Sequence, residues 1–221
     1  MMTSKHAGFS IVAGVAMLAA GCLQKDTTHT LCLSPDGAVT WIVAENNVYS
    51  DEGDAAKRTS EEQTYITAAS AGRHGVALAL EAMDPMGPVR TRVLRDEAPF
   101  LVVTDAKFHS IERVMTRLFG DVPGAAAVNL AADGRRMTLK MTFDFSVEQP
   151  ENQAEQESPV SAIVNDMDHL AIILTQGRFV AATGFDLESG IKATVSEDWV
   201  KLAEKAYKDK GTIEMMLTWE Q

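Results

Sequence analysis

The stretch RMTLKMTFDF at residues 136–145 has the most regular pattern in this chain. Apolar residues occupy every second position and polar or charged residues stand between them; the apolar ones are Met137, Leu139, Met141, Phe143 and Phe145. Side chains of a β-strand point alternately to the two faces of a sheet. The stretch therefore predicts a strand with one buried and one wet face, as in antiparallel sheets.

Turn residues on both sides place this strand in a series of hairpins. Gly and Asp in ADGR at 132–135 predict a tight turn that pairs residues 136–146 with 125–131. The same logic predicts three more strand pairs: 29–34 with 38–50 across PDG, 89–94 with 98–108 across RDE, and 169–174 with 178–185 across TQG. Two further strands are expected near IKATV at 191–195 and over TIEMMLTWE at 212–220.

Helical periodicity is clearest after the second hairpin. Apolar residues there recur at the spacing of one helix face, and they are Ile111, Val114, Met115, Leu118 and Phe119. We expect this helix over 110–119 to form a core with the strand at 136–145. Two other helices are predicted to start at Ser60, followed by Glu61 and Glu62, and at Ser196, whose apolar face would hold Trp199, Leu202, Ala203 and Ala206.

These elements together predict an α+β fold, an antiparallel sheet of hairpins with three or four helices packed on it. Residues 29–221 are expected to form a single α+β domain, or two subdomains around an acidic loop at 147–159. That loop, VEQPENQAEQESP, has no apolar period and is expected to be mobile.

The charge balance excludes one class of partner. The chain has 20 basic and 31 acidic residues, and removal of residues 1–21 would leave 19 basic residues against the same 31, a formal charge of −12. Nucleic-acid binding draws most of its affinity from clustered Lys and Arg. We therefore expect no nucleic-acid partner.

The N-terminal residues have the pattern of a targeting signal. Lys5 precedes an uncharged apolar run at 9–20, and the small residues Ala19, Ala20 and Gly21 lead to Cys22. This run is too short to span a bilayer as a helix and has the layout of a secretory signal. LAAGC resembles the lipobox of bacterial lipoproteins, although Ala19 stands where that family most often has Leu.

The resemblance implies a signal peptide at 1–21, fatty acylation of Cys22 (palmitate among the acyl groups) and a lipid-anchored tether at 22–28. It also implies a place in the cell envelope, and Leu23 favours the outer membrane facing the periplasm over the inner membrane in a Gram-negative source. The alternatives are an ordinary cleaved signal with Cys22 incidental, or a buried uncleaved helix. With Cys22 acylated, Cys32 would have no disulfide partner and would pack as a small apolar side chain.

Candidate sites for chemistry are few. Asp166, Asp168 and His169 fall in NDMDH and suggest a metal site, with a polar turn as the alternative. Asp51, Glu52 and Asp54 suggest calcium or a solvated acidic loop, and His74 and His109 are isolated. Arg90, Arg92 and Arg95 form either a cationic patch or the wet face of a strand.

Two functional hypotheses follow. The first is a membrane-anchored, non-enzymatic lipoprotein that binds an envelope protein, a lipid or a glycan through its sheet, without a cofactor. The second is a metal-assisted hydrolase built around Asp166, Asp168 and His169. We favour the first because the chain contains no GxSxG, Walker, HExxH or GxGxxG motif. The lipobox, the PDG hairpin and the α+β domain also resemble, in architecture, the LppM-type envelope lipoproteins.

Overall fold

A computed structural model describes residues 23–119, 127–146 and 169–221. The strands are β1 Leu23–Leu33, β2 Val39–Ser50, β3 Arg90–Arg95, β4 Phe100–Phe108, β5 Ala127–Asp133, β6 Arg136–Asp144, β7 Leu170–Leu174, β8 Arg178–Thr183, β9 Phe185–Glu188, β10 Lys192–Val195 and β11 Thr212–Glu220. The helices are α1 Ala55–Ser70, α2 Gly75–Ala82, α3 Ile111–Phe119 and α4 Glu197–Lys208. The predictions on Cys22, Asp166, Asp168 and the loop at 147–159 lie outside the described residues.

The strands form two sheets, and the fold is α+β. The larger sheet has seven strands in the order β3-β4-β2-β1-β7-β10-β9, and the smaller has four in the order β5-β6-β11-β8. The hairpins β1–β2, β3–β4 and β5–β6 are confirmed as antiparallel pairs. β1 begins at Leu23, so residues 23–28 of the expected tether belong to a strand.

The expectation of a purely antiparallel sheet is wrong. β1 and β7 are parallel neighbours, with His29 opposite Leu170 and Leu33 opposite Leu174. Short turns fix the direction only of strands that follow each other closely, and parallel neighbours need a long connection. β1 and β7 are far apart in sequence, so no turn signal could reveal their direction.

The predicted hairpin across TQG is also wrong. β7 lies in the larger sheet, whereas β8 pairs with β11 in the smaller one. The chain returns to the larger sheet at Gly184, where φ is +78° and an added Cβ would lie 2.8 Å from Trp199 Cδ1. Glycine is needed at this crossing because a side chain would be strained by the backbone and blocked by the indole.

The helices differ in how well their positions were predicted. α1 begins at Ala55 and not at Ser60, because the Asp54 carboxylate accepts hydrogen bonds from the N–H groups of Ala56 (2.9 Å) and Lys57 (3.0 Å). α3 is confirmed, and Ile111, Val114 and Met115 are buried. α4 follows Ser196 as expected, but Leu202 is 57% exposed and does not belong to its buried face.

One main core is shared by both sheets. The inward face of β6 is confirmed by Leu139, Met141 and Phe143, which are at most 1% exposed. The Phe143 ring lies 5.5 Å from that of Trp199, so α4 covers this part of β6, while α3 packs on β4 and β5. A smaller cluster between α1 and the larger sheet contains Val48, Ile66, Ala69, Phe100 and Val102.

Candidate functional site

Of the three residues of the proposed metal site, the structure describes only His169. His169 is exposed, has a φ of +63°, and its carbonyl accepts a hydrogen bond from the His29 N–H at 3.1 Å. Asp166 and Asp168 lie outside the described residues. Among the residues that are described, no group of three or more His, Cys, Asp or Glu side chains is placed to hold a metal ion.

The acidic residues at 51–54 interact with their own chain. Asp54 caps α1, Glu52 accepts the N–H of Asp54 at 3.1 Å, and Asp51 accepts the amide of Gln24 at 2.8 Å. These contacts hold the loop against β1 and start α1. The loop therefore has a structural role that needs no calcium.

The remaining predicted candidates separate by burial. His109 is exposed, whereas His74 is only 5% exposed and lies inside the protein. Arg90, Arg92 and Arg95 lie on the edge strand β3, and Arg92 pairs with Asp105 of β4 at 3.0 Å. This agrees with the solvent face of a strand.

A group of polar side chains lies in the core beside α1 and α2. Its centre is Glu45 of β2, which is 1% exposed. One carboxylate oxygen accepts a hydrogen bond from Lys25 Nζ at 2.5 Å, and the other lies 3.1 Å from His74 Nε2. His74 Nε2 is also 3.2 Å from the Thr104 hydroxyl, and the Tyr65 ring packs edge-on against His74. We call Lys25, Glu45, Tyr65, His74 and Thr104 the Glu45 cluster.

The Glu45 cluster holds a negative charge inside the protein. Burial by itself would raise the pKa of Glu45, but the hydrogen bond from His74 and the charge of Lys25 outweigh it and lower that pKa. Burial, together with the nearby Glu45 charge, raises the pKa of Tyr65. Glu45, His74 and Thr104 are buried, Tyr65 is half-buried, and the Lys25 side chain is 40% exposed. These contacts fasten α1 and α2 to the sheet.

A second imidazole lies near this cluster. His29 Nδ1 accepts a hydrogen bond from Trp41 Nε1 at 3.3 Å. Burial lowers the pKa of His29, and the charge of His169 adds to this while that of Glu45 opposes it. His29 is thus held neutral, as an acceptor for the indole.

Glu45 was not predicted as a site residue, although its position in the alternation of β2 points to it. In β2 the buried positions Val39, Trp41 and Val43 alternate, and the next inward position is Glu45. An acid at a position that the period assigns to the core needs buried partners. Those partners come from β1, α1, the α2 N-cap and β4, and no sequence pattern connects them.

The opposite side of the larger sheet has no cover among the described elements. We define the open face as Thr28, Thr30, Cys32, Thr40, Ile42, Ala44, Val103, Ala171 and Ile173. All are half-buried, and from Thr30 onward they alternate with residues of the inner face. The described helices place their buried residues, such as Ile66, Leu80 and Trp199, in the cores on the inner side. No described element therefore prevents another molecule from binding to the open face.

Cross-strand register makes the open face continuous. Thr30 lies opposite both Ile42 and Ala171, and Cys32 lies opposite both Thr40 and Ile173. Burial raises the pKa of the Cys32 thiol, which keeps it neutral at this surface. The centre, on β2, β1 and β7, is thus uncharged and formed by small, β-branched and other apolar side chains.

Charges flank this uncharged centre on the same face of the sheet. One side carries Arg90 and Arg92 of β3 with Asp105 and Lys107 of β4, and the other carries Lys192 of β10 with Asp186 and Glu188 of β9. An apolar centre with a charged rim is the usual anatomy of a protein-binding surface.

Three surface cavities differ from this face in character. They have volumes of about 630, 580 and 570 Å³ and are lined mainly by polar and charged residues. In the first, Arg136 and Arg178 already pair with Glu220, and Arg135 donates to the Gln221 carbonyl. None of the three is a deep apolar pocket of the kind that holds a lipid tail.

Comparisons with known proteins add little to this geometry. No protein-family model and no curated protein matches the chain. The NMR structure of the folded domain of Mycobacterium tuberculosis LppM aligns with 91% of this chain and 92% of its own, at 8% identity and a TM-score of 0.34. Similarity at this level is faint, and we base no argument on it. In the described part of the chain, no helix combines the length and apolarity needed to cross a membrane.

Proposed function

We propose that this chain is an envelope lipoprotein, anchored by lipid on Cys22, that binds a partner protein through the open face of its larger sheet. The observation that carries the binding role is the uncharged centre of that face on β2, β1 and β7, which no described element covers and which charged residues flank on both sides. The anchor is supported by the order of Lys5, the apolar run, the small residues and Cys22 in the sequence.

A protein partner fits this surface better than the alternatives. The uncharged centre is three strands wide and lines none of the three cavities, which are polar, so the described residues offer no pocket to enclose a lipid chain. A glycan would require more exposed hydrogen-bonding groups than Ile42, Ala44, Val103 and Ile173 present. The hydrolase hypothesis has no described cluster of ligands to support it.

The anchor is tested by the mass of the protein extracted from membranes. We expect its mass to exceed that of the polypeptide that starts at Cys22 by two or three acyl chains. Each buried CH₂ contributes about 0.8 kcal/mol, so two chains are enough to make the anchoring stable. The Cys22→Ser variant is the control and should leave the membrane fraction. A soluble wild-type product with unmodified Cys22 would disprove the anchor.

The binding surface is tested by photo-crosslinking in intact cells. A photoreactive amino acid at Ile42 or Val103, in the open face, should yield one discrete protein adduct. The control is the same group at the exposed Lys57 of α1. The adduct should disappear when Ala44→Arg is added, because a large charged side chain beside Val103 blocks close contact.

The proposed surface would be wrong if Lys57 gave the same adduct or if the Ala44→Arg change left the adduct intact. Equal urea midpoints for the wild-type and Ala44→Arg proteins would show that the variant is folded, so that loss of the adduct reports on the surface alone.

A further inference from the structure

The two sheets have four edge strands, and three of them are protected. An edge strand presents unpaired N–H and C=O groups that can pair with another chain, and charges, bulges or short length prevent this. β3 carries three arginines and an irregular register, β9 has only four residues, two of them acidic, and β8 pairs irregularly with β11 and begins at Arg178.

The fourth edge strand, β5, has no charge along its middle, no bulge and a full length of seven residues, and its one neighbouring helix is α3, which also packs on β4. Its sequence is AVNLAAD, so its only charge is Asp133 at the end beside the turn. It pairs with β6 over seven residues without a register shift. Ala127, Asn129, Ala131 and Ala132 are exposed, and small side chains at three of these positions let a second backbone approach.

The hairpin geometry shows which main-chain groups of β5 are unpaired. The loop has two residues, Gly134 and Arg135, so Asp133 and Arg136 form a hydrogen-bonded pair, and such pairs alternate along the ladder. The N–H and C=O groups of Val128, Leu130 and Ala132 therefore point away from β6. Within the described structure, these three residues make no other main-chain hydrogen bond.

We propose that β5 pairs with β5 of a second copy of this chain, in antiparallel orientation about a two-fold axis at Leu130. This register is self-complementary: Val128 meets Ala132, Asn129 meets Ala131, and Asp133 meets Ala127 of the other copy. The two Asp133 carboxylates then lie at opposite ends, so no like charges face each other although the chain carries a net charge of −11. The two smaller sheets join into one sheet of eight strands across the dimer.

The proposal is tested on the full chain purified in detergent, by sedimentation over a range of protein concentrations. The wild-type protein should show a monomer–dimer equilibrium. The double variant Asn129→Lys, Ala131→Lys should weaken dimerisation at least tenfold, because it places lysines opposite each other in the pairing register. The control, Leu94→Lys with Leu187→Lys, adds the same charge on β3 and β9 at positions 59% and 40% exposed and should leave the equilibrium unchanged.

A second measurement shows whether β5 forms the contact. The amides of Val128, Leu130 and Ala132 should exchange with solvent several-fold more slowly at dimer concentrations, since their N–H groups become paired. A wild-type chain that stays monomeric, a control variant that dissociates equally, or a dimer without this protection would each overturn the proposal. Dimerisation of the Cys22→Ser variant would show that the contact does not come from lipid in a shared micelle.

Discussion

The Lys25→Met variant should lose about 1.5–3 kcal/mol of unfolding free energy at neutral pH, less than for a fully buried pair because the Lys25 side chain is 40% exposed. Lys25 is the counter-ion of Glu45. The Glu45 side chain is 1% exposed, and its carboxylate accepts a hydrogen bond from the Lys25 ammonium at 2.5 Å. Without that ammonium, the buried charge keeps only the neutral Tyr65 and the His74 imidazole as neighbours among the described contacts named above, and no Lys or Arg. Methionine matches the apolar stem of lysine, so the loss reports mainly on the charge.

The matched control is Lys140→Met. Lys140 pairs with Glu214 at nearly the same distance, 2.6 Å, but their side chains are 45% and 51% exposed. An exposed pair contributes about 0–1 kcal/mol because water screens it. Urea melts of both variants and the wild type give the comparison. If the two substitutions cost the same, the Glu45 cluster does not behave as a buried charge.

The loss caused by Lys25→Met should depend on pH. The folded-state pKa of Glu45 lies below its ordinary value of 4.5, so its ionisation stabilises the fold above that value and the contribution disappears as the pH falls through the folded pKa. The groups that set this pKa are Lys25 and His74, and Tyr65 and His29 also feel the charge. The difference between wild type and variant should therefore be full near pH 7 and should narrow as the pH falls below 4.5 and through the folded pKa. A difference that stays constant over this range would contradict the assignment to Glu45.

The second large effect is expected at Phe143, where substitution by alanine should cost about 3–5 kcal/mol. Phe143 is fully buried on the inward face of β6, and its ring packs against Trp199 of α4 at 5.5 Å. Removing the ring leaves a cavity that the two sheets cannot close without moving α4. Denaturant melts would show the loss, and a value below about 1 kcal/mol would mean that the site collapses or is not packed.

Leu202→Ala is the control for this prediction. Leu202 lies on the same helix as Trp199 but is 57% exposed, so its truncation should change stability by less than about 0.5 kcal/mol. A double-mutant cycle of Phe143→Ala with Trp199→Leu should give a coupling of about 0.5–1.5 kcal/mol for the aromatic pair. Zero coupling would show that the two rings do not support each other.

The predictable part of the fold consists of elements whose signals are local. The alternation at 136–145 predicted the buried face of β6. The 3.6-residue period predicted the buried residues Ile111, Val114 and Met115 of α3. Turn residues gave the hairpins β1–β2, β3–β4 and β5–β6. In each case the residues that decide the structure lie within a few positions of one another.

The candidate site was less predictable than the fold. The Glu45 cluster joins residues from five places in the chain, and only the buried acid in the alternation of β2 marks it in the sequence. The open face could not be found because half-buried Thr, Ala and Ile side chains look the same whether or not another layer covers them. The start of α1 was misplaced because Asp54 is as good a cap as Ser60 in sequence.

The sequence by itself determined the α+β class, the local strand pairs and the face that each clear pattern buries. It did so because periodicity and turn chemistry act between near neighbours. Only the tertiary structure decided that β7 runs parallel to β1, that β8 joins the smaller sheet, and that α4 covers Phe143. These arrangements depend on contacts between distant residues, for which apolar surfaces are interchangeable until packing selects one partner.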